Sequence, residues 1–153
     1  MPDGTLIVEG QVAIARTPRE VFDVLADPAT WSAVDAALVD VTPREPLVPG
    51  ASGTMRRRVG PGLAVTTRWE NTEFLPGTRL ENLITGYGYE LRETVTLWAE
   101  SDGTRMTVVD ALTPTSLVGR AMVAVSRGII ERDLHARFAG LKALLEASSA
   151  TEG

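Results

Sequence analysis

Hydrophobic and polar positions alternate along this chain with two periods, and the periods predict its elements. Leu6, Val8, Val12 and Ile14 alternate with Ile7, Glu9, Gln11 and Ala13, a period of two that predicts a first strand. Gly10 is its expected bend or bulge. Thr17-Pro18-Arg19-Glu20 then reads as a capping box with proline at the first helical position. Val21, Phe22, Val24 and Leu25 make the apolar face of a short helix. Asp27-Pro28 ends that helix and caps a second, running through Trp31 to about residue 37.

From Val39 the period returns to two. Strands are predicted over residues 39–42, 53–59, 63–74, 79–85, 89–99 and 104–112. A proline- and glycine-rich loop, 43–50, separates the first two. Tight turns at Gly60-Pro61-Gly62, Leu75-Pro76-Gly77-Thr78, Gly86-Tyr87-Gly88 and Ser101-Asp102-Gly103 separate the rest. Connections this short make an antiparallel meander. Residues 113–116 introduce a helix expected to reach about residue 147. At 1.5 Å per residue it would be roughly 48 Å long, enough to cross a whole sheet. The predicted fold class is α+β, one domain over 1–153. It comprises a curved antiparallel sheet of about seven strands, two short helices after strand one, and a long C-terminal helix closing an internal cavity. Residues 148–153 read as a loose tail.

Pairing the strands outward from each turn sets the register. One face then carries Met55, Arg57, Val59, Val65, Thr67, Trp69, Asn71, Leu80, Asn82, Ile84, Leu91, Glu93, Val95, Leu97, Met106, Val108, Asp110 and Leu112. The other face is polar and mixes both charges, apart from Leu83, Trp98 and Val109, as on a sheet with one solvated side. The apolar face is interrupted by Arg57, Thr67, Asn71, Asn82, Glu93 and Asp110, with Glu93 and Asp110 opposite each other. Charges are not placed in a dry core without partners, so these groups are expected to line a partly hydrated cavity.

Composition narrows the function classes. The 153 residues are 44% hydrophobic and 23% charged, a globular balance. There is no cysteine, hence no disulfide, thiolate nucleophile or sulfur metal site. A net charge of −5 argues against nucleic acid as partner. The basic run Arg56-Arg57-Arg58 is split between the two faces by strand alternation. No apolar stretch approaches a spanning helix, and the N-terminus lacks a signal-peptide pattern, so stable membrane insertion is not expected and a cytoplasmic location is. His135, the single histidine, has no ligand partner at metal spacing and reads as a surface or boundary residue.

The run from Val12 to Trp31, VAIARTPREVFDVLADPATW, resembles the opening of the START-like, or SRPBCC, superfamily. Within it the chain is most similar to the polyketide cyclase/dehydrase and lipid-transport branch. Gly103-Thr104-Arg105-Met106-Thr107 and the helix end from Phe138 to Glu146 carry the same resemblance. It covers about residues 6–147. The resemblance implies a helix-grip fold with a deep cavity that holds lipids, sterols, quinones or polyketides. It carries no shared catalytic motif.

Three readings follow, one of them a lipid-presenting partner of a membrane complex, similar to quinone-binding members of the superfamily, which would need the stripe from Val118 to Ile129 exposed. The first is a binding protein or carrier for a small hydrophobic ligand. The expected lining is Met55, Trp69, Asn71, Asn82, Ile84, Leu91, Val95 and Val108, with Tyr87 as a gate and Arg127 as polar wall. The second is a polyketide cyclase or dehydratase. In it Glu93 and Asp110 would share a proton and serve as acid and base, with Arg57 as counter-charge, and no metal or organic cofactor would be needed. Trp31 is expected to pack at the helix–sheet junction. The last helix carries two apolar stripes on nearly opposite sides: Val118, Met122, Val125, Ile129 and Leu134, Phe138, Leu141, Leu145. A bend at Gly128 would reconcile them. A straight helix would expose the first stripe to a second copy in a homodimer or to a membrane surface, and would turn Arg120, Ala124, Arg127 and Glu131 toward the cavity.

Overall fold

In the computed structural model, which describes residues 4–152 and the side chains of 4–147, the sequence folds into one seven-stranded antiparallel sheet and four helices. The strands are β1 (Leu6–Ile14), β2 (Leu38–Thr42), β3 (Ser52–Gly60), β4 (Leu63–Leu75), β5 (Arg79–Gly86), β6 (Tyr89–Glu100) and β7 (Gly103–Pro114). The helices are α1 (Pro18–Leu25), α2 (Pro28–Val34), α3 (Leu117–Ala124) and α4 (Arg127–Glu152). The sheet order is β1-β7-β6-β5-β4-β3-β2, so the meander is kept and β1 closes onto its last strand. This is the α+β helix-grip fold. The tail expected from residue 148 is helical to Glu152, and Gly153 lies outside the described residues.

Local chemistry accounts for the entry helices. The Thr17 hydroxyl accepts the Glu20 N–H at 3.2 Å, and Glu20 Oε1 accepts the Thr17 N–H at 3.2 Å, so two orphan donors of α1 are satisfied reciprocally. Asp27 caps α2 through the Ala29 N–H at 3.1 Å. α1 buries Val21 and Phe22, and the Phe22 ring meets Phe74 edge-on at 5.3 Å.

The sheet faces are sorted as the alternation predicts, with two corrections. Val59 is 54% exposed, because the β3–β4 register shifts between Arg58 and Gly60 and turns it off the inner face. A second shift, between Asn71 and Glu73, brings Phe74 opposite Leu80 and onto the core. Gly10 sits in unbroken register opposite Val108 and is not a bulge. Its missing Cβ instead makes room for α4, since a Cβ there would come within 2.9 Å of both Leu134 and Phe138.

The last helix is not one element, and its break is not at Gly128. α3 ends at Val125, whose N–H bonds back to Met122 and Val123, and the Ser126 hydroxyl donates to the Met122 carbonyl. The Ser126 carbonyl then accepts the Ile130 N–H and opens α4. β-Branched valines and a backbone-bonding serine favour the break there, whereas Gly128 lies inside α4 with open space around it. Leu134, Phe138, Leu141 and Leu145 are buried on the sheet. Val118, Met122, Val125 and Ile129 remain exposed, and α3 packs instead through Gly119 and Val123.

Gly119 meets the β5–β6 turn backbone to backbone. A Cβ on it would lie 1.7 Å from the Gly88 carbonyl oxygen, and the Gly88 oxygen also accepts the Thr115 N–H at 2.8 Å. No side chain can swing aside to relieve that overlap. Gly119→Ala is therefore expected to cost about 2–3 kcal/mol in urea unfolding, while Gly128→Ala, free of neighbours in a helix, gains up to about 1 kcal/mol.

Candidate functional site

Strand register builds the site from one rung. Asn71 pairs with Asn82, Asn82 with Glu93, and Glu93 with Asp110, so four polar residues from β4, β5, β6 and β7 stand in a row across the concave face. α4 lies over this face with Leu134, Phe138 and Leu141 pointing down. Arg137, three residues after Leu134 and one before Phe138, shares their side of the helix. Its Nη1 donates to Glu93 Oε2 at 2.8 Å, and its Nη2 to Asp110 Oδ2 at 3.2 Å. A second pair lies beside it. Arg57 places both terminal nitrogens on Asp35 Oδ2, at 2.6 and 2.7 Å.

Around these charges is a cavity of about 180 Å³. Its walls are mainly apolar, with Met55, Trp69, Ile84, Leu91, Val95 and Val108 from the sheet, Val24, Trp31 and Val34 from the short helices, and Leu134, Phe138 and Leu141 from α4. Thr67, Asn82, Glu93, Arg57, Asp35 and Arg137 supply the polar part. Trp31 and Trp69 meet edge-on at 5.4 Å, and each indole N–H is held by a backbone carbonyl, Leu25 for Trp31 and Thr54 for Trp69. The wall is rigid there. The lining is buried at Leu80, Val95, Met106 and Leu141 and half-buried at Arg57, Ile84, Tyr89 and Leu91 and at Trp31, Val34 and Asp35.

The electrostatics sort the two facing carboxyls. For Asp110 burial is the largest effect, and with the charge and hydrogen bond of Glu93 it outweighs Arg137 and pushes the carboxyl up to about 9. Burial also acts to raise Glu93, but the Arg137 charge, hydrogen bonds from Asp110 and Arg137, and the Arg57 charge hold it below the usual carboxylate range. Near neutral pH Asp110 is thus a neutral acid that donates to an ionised Glu93. Burial disfavours the Arg137 charge, yet Glu93 and Asp110 more than restore it, and the guanidinium stays protonated. The set Asp35, Arg57, Glu93 and Arg137 carries two charges of each sign, which is how buried charge is tolerated.

Three buried polar atoms have no hydrogen-bond partner among the described residues: Thr67 Oγ1, Asp110 Oδ1 and Arg137 Nε. The protonated Asp110 carboxyl has Glu93 as its hydrogen-bond partner. Thr67 and Arg137 belong to cavity-lining residues, but these two atoms are themselves enclosed.

Several residues singled out in the sequence stand elsewhere. Asp110 is 1% exposed and lies behind Glu93 and Arg137 rather than in the wall. Arg57 pairs with Asp35, and the counter-charge of the two carboxyls is Arg137. Asn71 lies under the wall. Its amide N–H groups go to the Glu73 and Glu81 carbonyls and Asn82 Oδ1, and its oxygen takes the Gly50 N–H, so it ties down the β4 bulge. Tyr87 is 67% exposed on its turn, and Tyr89 lines the cavity in its place. Arg127 faces out, pairing with Glu131 at 3.6 Å and reaching the Ile7 carbonyl at 3.3 Å. His135 is exposed. Arg137 and Asp35 were not among the sequence candidates. The signal for Arg137 was present: it is the one charge set into the Leu134–Phe138–Leu141 stripe.

No curated protein matches the sequence. Among solved structures, the di-domain ARO/CYC StfQ from the steffimycin biosynthetic pathway superposes with a TM-score of 0.78 at 13% identity over 95% of this chain. This chain covers 52% of that protein, about half its length. Protein CV1439 from Chromobacterium violaceum gives 0.75 at 18% identity over 92% of this chain and 96% of its own. Ara h 8.0201 gives 0.73 at 11% over 94% and 99%. At such identities these structures share the fold. The sequence itself matches the family model for polyketide cyclase / dehydrase and lipid transport over residues 5–146, nearly its whole length, and the chain belongs to that family.

Proposed function

We propose that the protein binds a small, largely apolar molecule carrying one hydrogen-bonding or acidic oxygen, and holds it without changing it. The observation that carries this is the make-up of the cavity wall, mostly apolar side chains interrupted by the polar groups of Arg57, Asn82, Glu93 and Arg137. A ligand oxygen set against the partly exposed Arg57 or Arg137 guanidinium takes a charge-assisted hydrogen bond. Apolar walls supply the remaining affinity through removal of surface from water.

A second reading, cofactor-free cyclisation or dehydration, is favoured by one observation: Asp110 keeps a proton well above neutral pH beside an ionised Glu93. Such a reaction needs both groups within reach of one carbonyl. Glu93 lines the cavity, but Asp110 is screened from it by its neighbours. That geometry ranks binding ahead of turnover.

Native mass spectrometry of protein taken from its own host, followed by denaturing extraction, tests both. One unaltered lipid, quinone or aromatic ketone per chain is the expected result. Leu91→Trp, which fills the cavity, should release it while leaving the thermal melt in place. A linear polyketide converted on incubation, with conversion lost in Glu93→Gln, would establish the enzyme instead. Protein that arrives empty and binds no member of a panel of fatty acids, quinones and aromatic ketones overturns the binding proposal.

A further inference from the structure

Large apolar side chains are exposed at one end of this molecule far more than elsewhere. The β3–β4 turn presents Val59 and Leu63 at 54% and 58% exposure, and the β5–β6 turn presents Tyr87. α3, which follows β7 at the same end of the sheet, presents Leu117, Val118 and Met122. Val125, at the break between α3 and α4, is 78% exposed. The Gly88–Gly119 contact fixes α3 to the β5–β6 turn, so these protrusions are held at one end.

Charge distinguishes the same end. The protein as a whole is acidic, with a net charge of −5. Yet residues 46–69 and 111–130, which supply the β3–β4 turn and α3, contain six arginines and no aspartate or glutamate. Of these, Arg56, Arg58, Arg68, Arg120 and Arg127 are exposed, while Arg57 turns inward to Asp35. The acids nearby are Glu131, paired with Arg127, Asp40, beside Arg56 in the strand register, exposed Glu70, two residues from Arg68 on the same face of β4, and half-buried Glu90.

We propose that this end docks onto an anionic lipid surface, with the two turns and α3 dipping into the headgroup layer. Apolar protrusions surrounded by arginines are what such an interface selects: the apolar atoms leave water, the guanidiniums meet lipid phosphates, and an aromatic ring sits at headgroup depth. A second copy of the chain fits less well. A twofold contact through this patch would set the same arginines against one another. The docking stands whatever the cavity holds.

The full chain is sedimented with large unilamellar vesicles of phosphatidylcholine alone and of phosphatidylcholine with 30% phosphatidylglycerol, at low and high salt. Binding is expected only with phosphatidylglycerol and should weaken as salt rises. Arg120→Gln should weaken it about fivefold, and Val118→Asp with Val125→Asp should abolish it. Both valines are largely exposed, so that double variant should melt with the wild type and show that the loss is not unfolding. No binding to phosphatidylglycerol vesicles, or equal binding to neutral ones, overturns the proposal. So does a dimer, seen by analytical ultracentrifugation, that Val118→Asp dissociates while vesicle binding is unaffected.

Discussion

Replacing Arg137 by methionine is expected to lower the unfolding free energy by about 3–5 kcal/mol at pH 7. The substitution keeps most of the volume and the apolar stem but removes the one cation among the described residues that touches both Glu93 and Asp110. Asp110 is neutral and loses one hydrogen bond. Glu93 is the main source of the loss, because it stays buried as an anion or must take up a proton to avoid that. Proton uptake is easier in acid, so the loss should be smaller at pH 5 than at pH 8. Adding Glu93→Gln to Arg137→Met should recover part of it, since the carboxylate that needed the guanidinium is gone. Urea unfolding of the two single variants and the double variant closes the cycle. A coupling of about 1–3 kcal/mol is expected. Additive losses would mean that the 2.8 Å contact contributes nothing beyond its parts, and a methionine variant within about 0.5 kcal/mol of wild type would remove Arg137 from the centre of this account.

Arg137 also shows where the sequence was legible and where it was not. Turns bounded by glycine set the strand register, and register alone placed Glu93 opposite Asp110. Period two does not survive an extra residue, which is why Val59 was read on the wrong face. The capping box at Thr17 was readable because its chemistry is contained in four residues. The partner of a buried charge is not local in that sense. Asp35 lies on a short connection with no periodicity, and Arg137 stands in a helical stretch crowded with Arg132, Asp133 and His135, where charge usually means solvent. Only the phase of Leu134, Phe138 and Leu141 marks position 137 as inward. The break at Val125–Ser126 hid this further. A single straight helix put Arg127 over the cavity, whereas two helices free α4 to choose its own phase and turn Arg137 there.

The second large effect is on pH dependence, and its sign follows from Asp110. In the unfolded chain this carboxyl titrates near 3.8, while in the folded protein it holds its proton to about 9. Between those values the native state binds one more proton than the unfolded state, so stability falls as pH rises. The contribution is complete below the lower value and has been lost by the time pH passes the upper one. For one proton the slope is about 1.4 kcal/mol per pH unit, and pH 6–8 lies inside the window. Glu93 acts in the opposite sense: its lowered value adds stability above 4.5 that is lost as acid protonates it, which confines its effect to pH below that window. Asp110→Asn keeps the shape and a donor toward Glu93 but cannot ionise. Its stability should vary much less between pH 6 and 8, and the two urea-derived curves should converge in acid and separate toward pH 8, with the asparagine variant the more stable there. Curves of equal slope would show that Asp110 is ionised in the native protein, with Arg137 then shared between two carboxylates.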